Sequence, residues 1–214
     1  MEEIEIKKQL LKKNIVKKII INSSNNPFSL FKEWFEEAQK NEINDANAMN
    51  LSTISKSNFP SSRMVLLKDF DDRGFVFYTN IKSKKGNDII NNPNVSLNFH
   101  WKSITKQVRI EGKAISVSDK EADEYFNSRP KESRIGAWSS NQSSKMNNRE
   151  DLIEKYNFYK EKFKEDSIPR PDYWSGFRVV PRLIEFWQDM PFRLHDRLEF
   201  IKINNKWETK KLFP

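Results

Sequence analysis

The pentapeptide RLHDR places Arg193, His195 and Arg197 two residues apart. In an extended strand side chains alternate, so these three would share one face while Leu194, Asp196 and Leu198 take the other. Two guanidinium groups and an imidazole on one surface suit an anionic ligand. A second cationic group is Ser83-Lys84-Lys85, where Ser83 can cap a helix and the lysines fall in its first turn. That turn carries unpaired N–H groups and partial positive charge, so added cations there are unfavourable unless an anion sits opposite. The plain alternative is two solvated lysines. A third set, Tyr125, Arg129 and Ser133, recurs every four residues and could offer a phenol, a guanidinium fork and a hydroxyl to a phosphate ester. Arg63 and Lys68 bracket the apolar stretch RMVLLK and have opposite parity, so they share a face only if the strand ends or bulges before Lys68.

Such groups need elements to hold them. Pro27 opens PFSLFKEWFEEAQKN, where Leu30, Phe31, Trp34, Phe35 and Ala38 recur at helical spacing and predict a helix with a packed aromatic face. From 48 to 118 the pattern becomes short stretches rich in β-branched and aromatic residues: AMNLSTIS, SRMVLLKDF, GFVFYTN, NVSLNFHWK and KQVRIEGKAISVS. Short links between them imply an antiparallel sheet that curls into a barrel. A helix from Ser83 to Pro93 interrupts the series. Ser118 and Glu121 have capping-box spacing ahead of a helix through Phe126, and Pro130 stops it. A further helix carries Leu152, Tyr156, Tyr159 and Phe163 along one face. The segment between these two helices, KESRIGAWSSNQSSKMNN, reads as a site-bearing loop. The C-terminal part reads as strands with an Asn-Asn hairpin turn, and His100 as a structural strand residue.

Composition bounds the chemistry. The 214 residues favour one domain, with an N-terminal arm over 1–26, partly flexible, and a single domain over 27–214. Lys plus Arg number 38 against 30 Asp plus Glu, a net charge of +8, but the abundance of Lys, Asn and Ile reads as compositional bias. Charge alone therefore selects no partner. No cysteine is present and there are two histidines, so thiolate chemistry is excluded and a histidine-built metal centre disfavoured. No apolar run approaches the roughly 20 residues of a membrane span, and the N-terminus has acids where a signal peptide is basic. The expected setting is cytoplasmic.

Taken in order, SRMVLLK, FYTNIKSKKG, QVRIEGKA, YFNSRP, IGAWSSNQSS and above all WSGFRVVPRLIEFWQDMPFRLHDR resemble the pyridoxamine 5'-phosphate oxidases. The resemblance runs from about residue 28 to the C-terminus. It implies an α+β fold, mainly β: an antiparallel split β-barrel with peripheral helices, homodimeric, binding FMN in clefts at the subunit interface. By motif position it assigns Arg63, Met64, Val65, Leu66, Tyr78, Thr79, Lys84, Lys85, Gln107, Gln142, Ser143, Trp187 and Arg197 to FMN. It assigns Lys68, Tyr125, Arg129, Ser133, Arg193 and His195 to the substrate. Arg193 and His195 are the catalytic candidates, with Asp45 a weaker one as base. The implied reaction oxidises the C4' carbon of pyridoxine 5'-phosphate or pyridoxamine 5'-phosphate to pyridoxal 5'-phosphate, with oxygen as acceptor and peroxide as product.

Two departures stand out. Family members often have Ser-Arg-Lys where this chain has Ser83-Lys84-Lys85, which exchanges a bidentate fork for a point charge. The Arg-x-x-Tyr motif that can close over substrate has no tyrosine counterpart in KKNIVKKIIINSS. Competing readings are a split-barrel flavin reductase or other flavin-binding protein and a basic nucleic-acid module; the scattered basic residues and the complete substrate set argue against them.

Overall fold

The computed structural model describes residue 21, residues 26–165 and residues 167–214; most of the expected N-terminal arm lies outside them. Among the described residues nine strands, β1 (Ala48–Ile54), β2 (Pro60–Leu66), β3 (Asp69–Asp71), β4 (Gly74–Asn80), β5 (Asn94–Trp101), β6 (Lys106–Ser116), β7 (Trp174–Gln188), β8 (Asp196–Ile203) and β9 (Lys206–Lys211), pair in the order β2-β1-β5-β6-β7-β4-β3, with β8 on β7 and β9 on β8. The chain divides into two compact units that interleave in sequence.

Among the described residues one unit comprises residue 21, residues 26–51, Ser96–Gly112 and Pro181–Pro214. Its helix α1 (Pro27–Asn41) starts where expected: the Asn26 side chain accepts from Phe28 N–H at 2.8 Å and Pro27 fills the first turn. The buried stripe Leu30, Phe31, Trp34 and Ala38 packs by aromatic edges, Phe31 on Phe99 with ring centroids 5.1 Å apart and Trp34 on Phe186 also at 5.1 Å. The unit holds parts of β1 (Ala48–Ile54), β5 (Asn94–Trp101), β6 (Lys106–Ser116) and β7 (Trp174–Gln188), and all of β8 (Asp196–Ile203) and β9 (Lys206–Lys211). The β8–β9 turn is the expected hairpin: Asn204 and Asn205 have φ of 48° and 63°, the left-handed pair that a two-residue turn requires.

The other unit comprises Ser52–Val95 and Lys113–Val180. Here β3 (Asp69–Asp71), β4 (Gly74–Asn80) and the first half of β7 pair antiparallel, Phe75 opposite Val179 and Asn80 opposite Trp174. Strand β2 (Pro60–Leu66) ends before Lys68, so the parity conflict with Arg63 does not arise. Helix α2 (Lys84–Asn91) is capped by Ser83 accepting from Gly86 N–H, and α3 (Asp119–Ser128) by Ser118 accepting from Glu121 N–H, both as the sequence predicts. Helix α5 (Glu150–Lys162) brings Tyr156 and Tyr159 onto an apolar cluster of Phe126, Ile135, Phe163, Ile168 and Trp174.

Two local expectations need correction. The segment after Pro130 is not all loop: α4 (Lys131–Ser139) begins at once, burying Ile135 and Ser139. A helix with two inward positions leaves little periodicity to read, and Pro130 both ends α3 and suits the start of the next helix. RLHDR is also not one strand. Pro191–Arg193 form a 3-10 turn, and β8 begins only at Asp196, so alternation cannot align Arg193 with Arg197. Phe192 and Arg193 have φ of 61° and 62°, a left-handed pair that ordinary side chains resist. Since Phe192 is 70 % exposed and little packing is lost, Phe192→Asn is expected to stabilise the fold by about 0.5–1 kcal/mol. A melting temperature about 1–4 °C higher checks this.

Among the described residues no helix is long and apolar enough to cross a membrane.

Candidate active site

A cavity of about 620 Å³ opens in the unit built on β3, β4 and the first half of β7. Its wall collects residues that are far apart in sequence: Met64, Val65 and Leu66 from β2, Lys68 just after it, Tyr78 and Thr79 from β4, and Lys85 from α2. Tyr125 from α3, Arg129 at its C-cap, Ser133 on α4 and Gln142 beyond join them. These eleven were sequence candidates; Asn80, Pro130, Gly136, Ala137, Ser140 and Trp174 also line the wall and were not. The volume lies within the roughly 300–1,000 Å³ of small-molecule sites.

Among the described residues neither Lys85 nor Arg129 on this wall has a carboxylate partner. Lys85, 8 % exposed, directs Nζ at Thr79 Oγ1 (3.2 Å), Gln142 Oε1 (3.1 Å) and Ser83 Oγ (3.4 Å), and Thr79 Oγ1 donates to Gln142 Oε1 at 3.1 Å. Among the described residues no carboxylate pairs with it. Burial pushes its pKa down, and the charge of Arg63 pushes the same way. A buried ammonium with only neutral oxygen partners is set up for an anion. Arg129 lies over Trp174, its guanidinium carbon 4.9 Å from the ring centroid, and its buried Nη1 has no partner among the described residues. Burial lowers its pKa as well, opposed by Tyr125 and joined by the like charge of Arg134. The wall between is aromatic: Tyr78 stacks on Tyr125 at 4.1 Å and on Trp174 at 5.4 Å. Burial raises the Tyr78 phenol to about 12, so it stays neutral in ordinary buffers.

Three cofactor candidates of this unit lie off the cavity wall. Arg63 donates to Thr53 Oγ1 at 2.7 Å and to Ser61 Oγ at 2.9 Å, and Lys84 pairs with Asp88 at 2.9 Å. Asp88, which sequence reasoning missed, accepts from Thr53 as well and lies 3.8 Å from Arg63, so it braces both cations behind the Lys85 turn. Burial pushes the Asp88 carboxyl up, but hydrogen bonds from Lys84 and Thr53 together with the charges of Lys84 and Arg63 outweigh it and hold the pKa low. Ser143, at φ 69°, lines a neighbouring cavity of about 410 Å³ together with Gln142.

The remaining candidates belong to the unit that contains α1. His195 packs on Trp187 with ring centroids 4.6 Å apart, its Nδ1 3.0 Å from Asp189 Oδ1 and 3.3 Å from Met190 N–H. Arg193 is exposed on the left-handed turn, and Asp45 is exposed before β1. Gln107 is half-buried on β6, and Arg197 pairs with buried Glu185. Sequence reasoning also missed Glu185 and its second partner Arg109. A carboxylate inside the apolar run RLIEFWQ was the available signal.

Cations without carboxylate partners around a flat aromatic wall, on an antiparallel sheet with peripheral helices, suit a phosphorylated planar ligand, and the likeness to known proteins gives the class: an FMN-binding split barrel. A family model described as pyridoxamine 5'-phosphate oxidase matches residues 35–155, and one described as the pyridoxine 5'-phosphate oxidase C-terminal dimerisation region matches residues 174–214. The pyridoxine/pyridoxamine 5'-phosphate oxidase of Caulobacter vibrioides is 52 % identical over 192 residues, covering 90 % of this chain and 86 % of its own. Among solved structures, PhzG of Burkholderia lata 383, in complex with tetrahydrophenazine-1-carboxylic acid, aligns with a TM-score of 0.86 at 28 % identity, over 90 % of this chain and 95 % of that one. A pyridoxamine 5'-phosphate oxidase-related, FMN binding protein of Nostoc punctiforme shares the fold at a TM-score of 0.72 and 13 % identity, over 90 % of this chain and 100 % of that one. The chain belongs to the pyridoxine/pyridoxamine 5'-phosphate oxidase family.

Proposed function

We infer that the protein oxidises pyridoxine 5'-phosphate or pyridoxamine 5'-phosphate to pyridoxal 5'-phosphate, using FMN and oxygen, as a homodimer. We further propose a cytoplasmic setting and one FMN-binding domain over residues 27–214, including the C-terminal dimerisation region. The observation that carries the reading is the cavity itself, with cationic Lys85 and Arg129 on its wall and no carboxylate paired with either among the described residues. FMN, when bound, supplies the two-electron acceptor and returns the electrons to oxygen.

Within this reading the chain binds, orients and shields. Lys85, Thr79 and Gln142 hold the cofactor phosphate, while Met64, Val65, Leu66 and Tyr78 form the wall beside it. Arg63, Lys84, Gln107, Ser143, Trp187 and Arg197 complete the cofactor set. Lys68, Tyr125, Arg129 and Ser133 hold the substrate phosphate, which fixes the reacting carbon in place. Arg193 covers the substrate and stabilises charge near C4', and His195 hydrogen-bonds to it. Asp45 remains the weaker candidate for proton removal.

Purified protein should be yellow or take up FMN, and in air should turn pyridoxine 5'-phosphate into aldehyde with an equal amount of peroxide. A preparation that binds FMN yet yields no aldehyde from either phosphorylated substrate would remove this reading.

The lowered pKa of Lys85 gives a pH signature. An anion beside the ammonium raises its pKa again, so FMN binding takes up a proton wherever free Lys85 has lost one. Affinity should be level below the lowered pKa of Lys85. It should fall as pH rises through that value, by up to about tenfold per unit, until the pKa of the bound form is reached. FMN dissociation constants measured across alkaline pH check this, and Lys85→Gln should flatten the curve.

A further inference from the structure

Glu185 is 3 % exposed in the middle of β7. Arg197 Nε–H donates to its Oε1 at 2.7 Å, with Nη2 also 2.7 Å from that oxygen. Arg109 donates to Oε2 from Nη2 at 2.5 Å and from Nε at 3.2 Å. A carboxylate removed from water is tolerable only with close, well-directed cations, and here each oxygen has a guanidinium. Arg109 is braced in turn by Glu111 at 2.7 Å, and Glu111 by Arg182.

The consequence falls on Arg197. A guanidinium has five N–H donors. Its Nε and Nη2 edge faces Glu185, and Nη1 donates to the Phe213 carbonyl at 2.9 Å, so the remaining N–H bonds of Nη1 and Nη2 are held in a fixed direction. Arg197 stands opposite Trp187 in the β7–β8 register. Gln107 lies two residues before Arg109 on β6 and so shares its face. Glu185 and Arg109 thus lie amid the cofactor candidates of this unit.

We propose that Glu185, itself held by Arg109, is the positioning residue that aims Arg197 at FMN. This rests on the assignment of Arg197 to FMN in the proposed function. Without the buried carboxylate Arg197 keeps its charge but regains the rotamer freedom of a long side chain, which binding must then remove.

The test is a double-mutant cycle on the FMN-loaded protein, with the FMN dissociation constant read from released flavin fluorescence. Glu185→Gln should weaken FMN binding roughly tenfold, equivalent to about 1.4 kcal/mol. In an Arg197→Ala background the same change should cost less than twofold. An equal loss in both backgrounds, or no loss in either while Arg197→Ala alone weakens binding, overturns the proposal. If Arg197→Ala leaves FMN affinity unchanged, the assignment of Arg197 fails first and the proposal falls with it. Should Glu185→Gln not fold, Arg109→Lys carries the cycle, since it keeps the charge and removes the fork on Oε2. It should show the same dependence on Arg197 at about threefold, and the same effect in both backgrounds overturns the proposal.

Discussion

Arg129→Ala is expected to lower kcat/KM for pyridoxine 5'-phosphate about a hundredfold, or roughly 2.7 kcal/mol of transition-state stabilisation. The reason lies in what Arg129 does without ligand. Among the described residues its buried Nη1 has no partner, its pKa is lowered by burial, and Arg134, whose buried Nε has none among them either, adds like charge nearby. A buried cation with no carboxylate partner among the described residues suits an anionic ligand. Removing it strands no carboxylate, so stability should hold or rise slightly while substrate binding is lost. The loss should fall mainly on KM, since phosphate contacts persist from ground state to transition state. FMN content should stay near that of the parent protein, because Lys85 and Gln142 are untouched. Arg129→Lys should recover part of the loss, restoring charge without the planar fork. Parent-like kcat/KM in Arg129→Ala would place the substrate phosphate elsewhere.

What the sequence made legible follows from how strongly each element is patterned. The β-branched and aromatic run GFVFYTN, the alternating NVSLNFHWK, and the caps at Ser83 and Ser118 are local signals with local causes, and the structure reproduces them closely. Helix α4 was missed because a short helix with two buried positions has no stripe to detect. The shared face of Arg193, His195 and Arg197 failed because Pro191 and the left-handed pair at Phe192 and Arg193 interrupt extension before β8 begins. For the site, Tyr125, Arg129 and Ser133 do line one cavity, though through a helix cap and a second helix rather than one helical face. The carboxylates were the larger omission. Asp88 and Glu185 are buried and touch cations 25 and 12 residues away in sequence, at Arg63 and Arg197, so only the folded chain shows why they are needed.

The second large effect is expected at Gly86, where the fold leaves no room for a side chain. A Cβ there would lie 2.1 Å from the Ile81 carbonyl oxygen, 2.5 Å from its carbon and 2.7 Å from Ile81 Cα, all backbone atoms that no rotamer change can move. That backbone is itself fixed: Ile81 N–H donates to Tyr173 O at 2.8 Å and Ser83 N–H to Asn80 O at 3.1 Å. Gly86→Ala must therefore push the first turn of α2 away from the Ile81–Ser83 turn. The same turn carries the Ser83 cap and Lys85, so stability and anion binding should fail together. The expected loss is about 2–3 kcal/mol, a fall of roughly 4–12 °C in melting temperature, with FMN released on gel filtration. Gly136→Ala is the control for stability. It is also a helical glycine, but its added Cβ meets nothing within 4 Å. Alanine there should leave the melting temperature unchanged or raise it, by about 0.5–1 kcal/mol of helix propensity. If the two alanine variants melt alike, the close approach of α2 to Ile81 is not what holds Lys85 in the cavity wall.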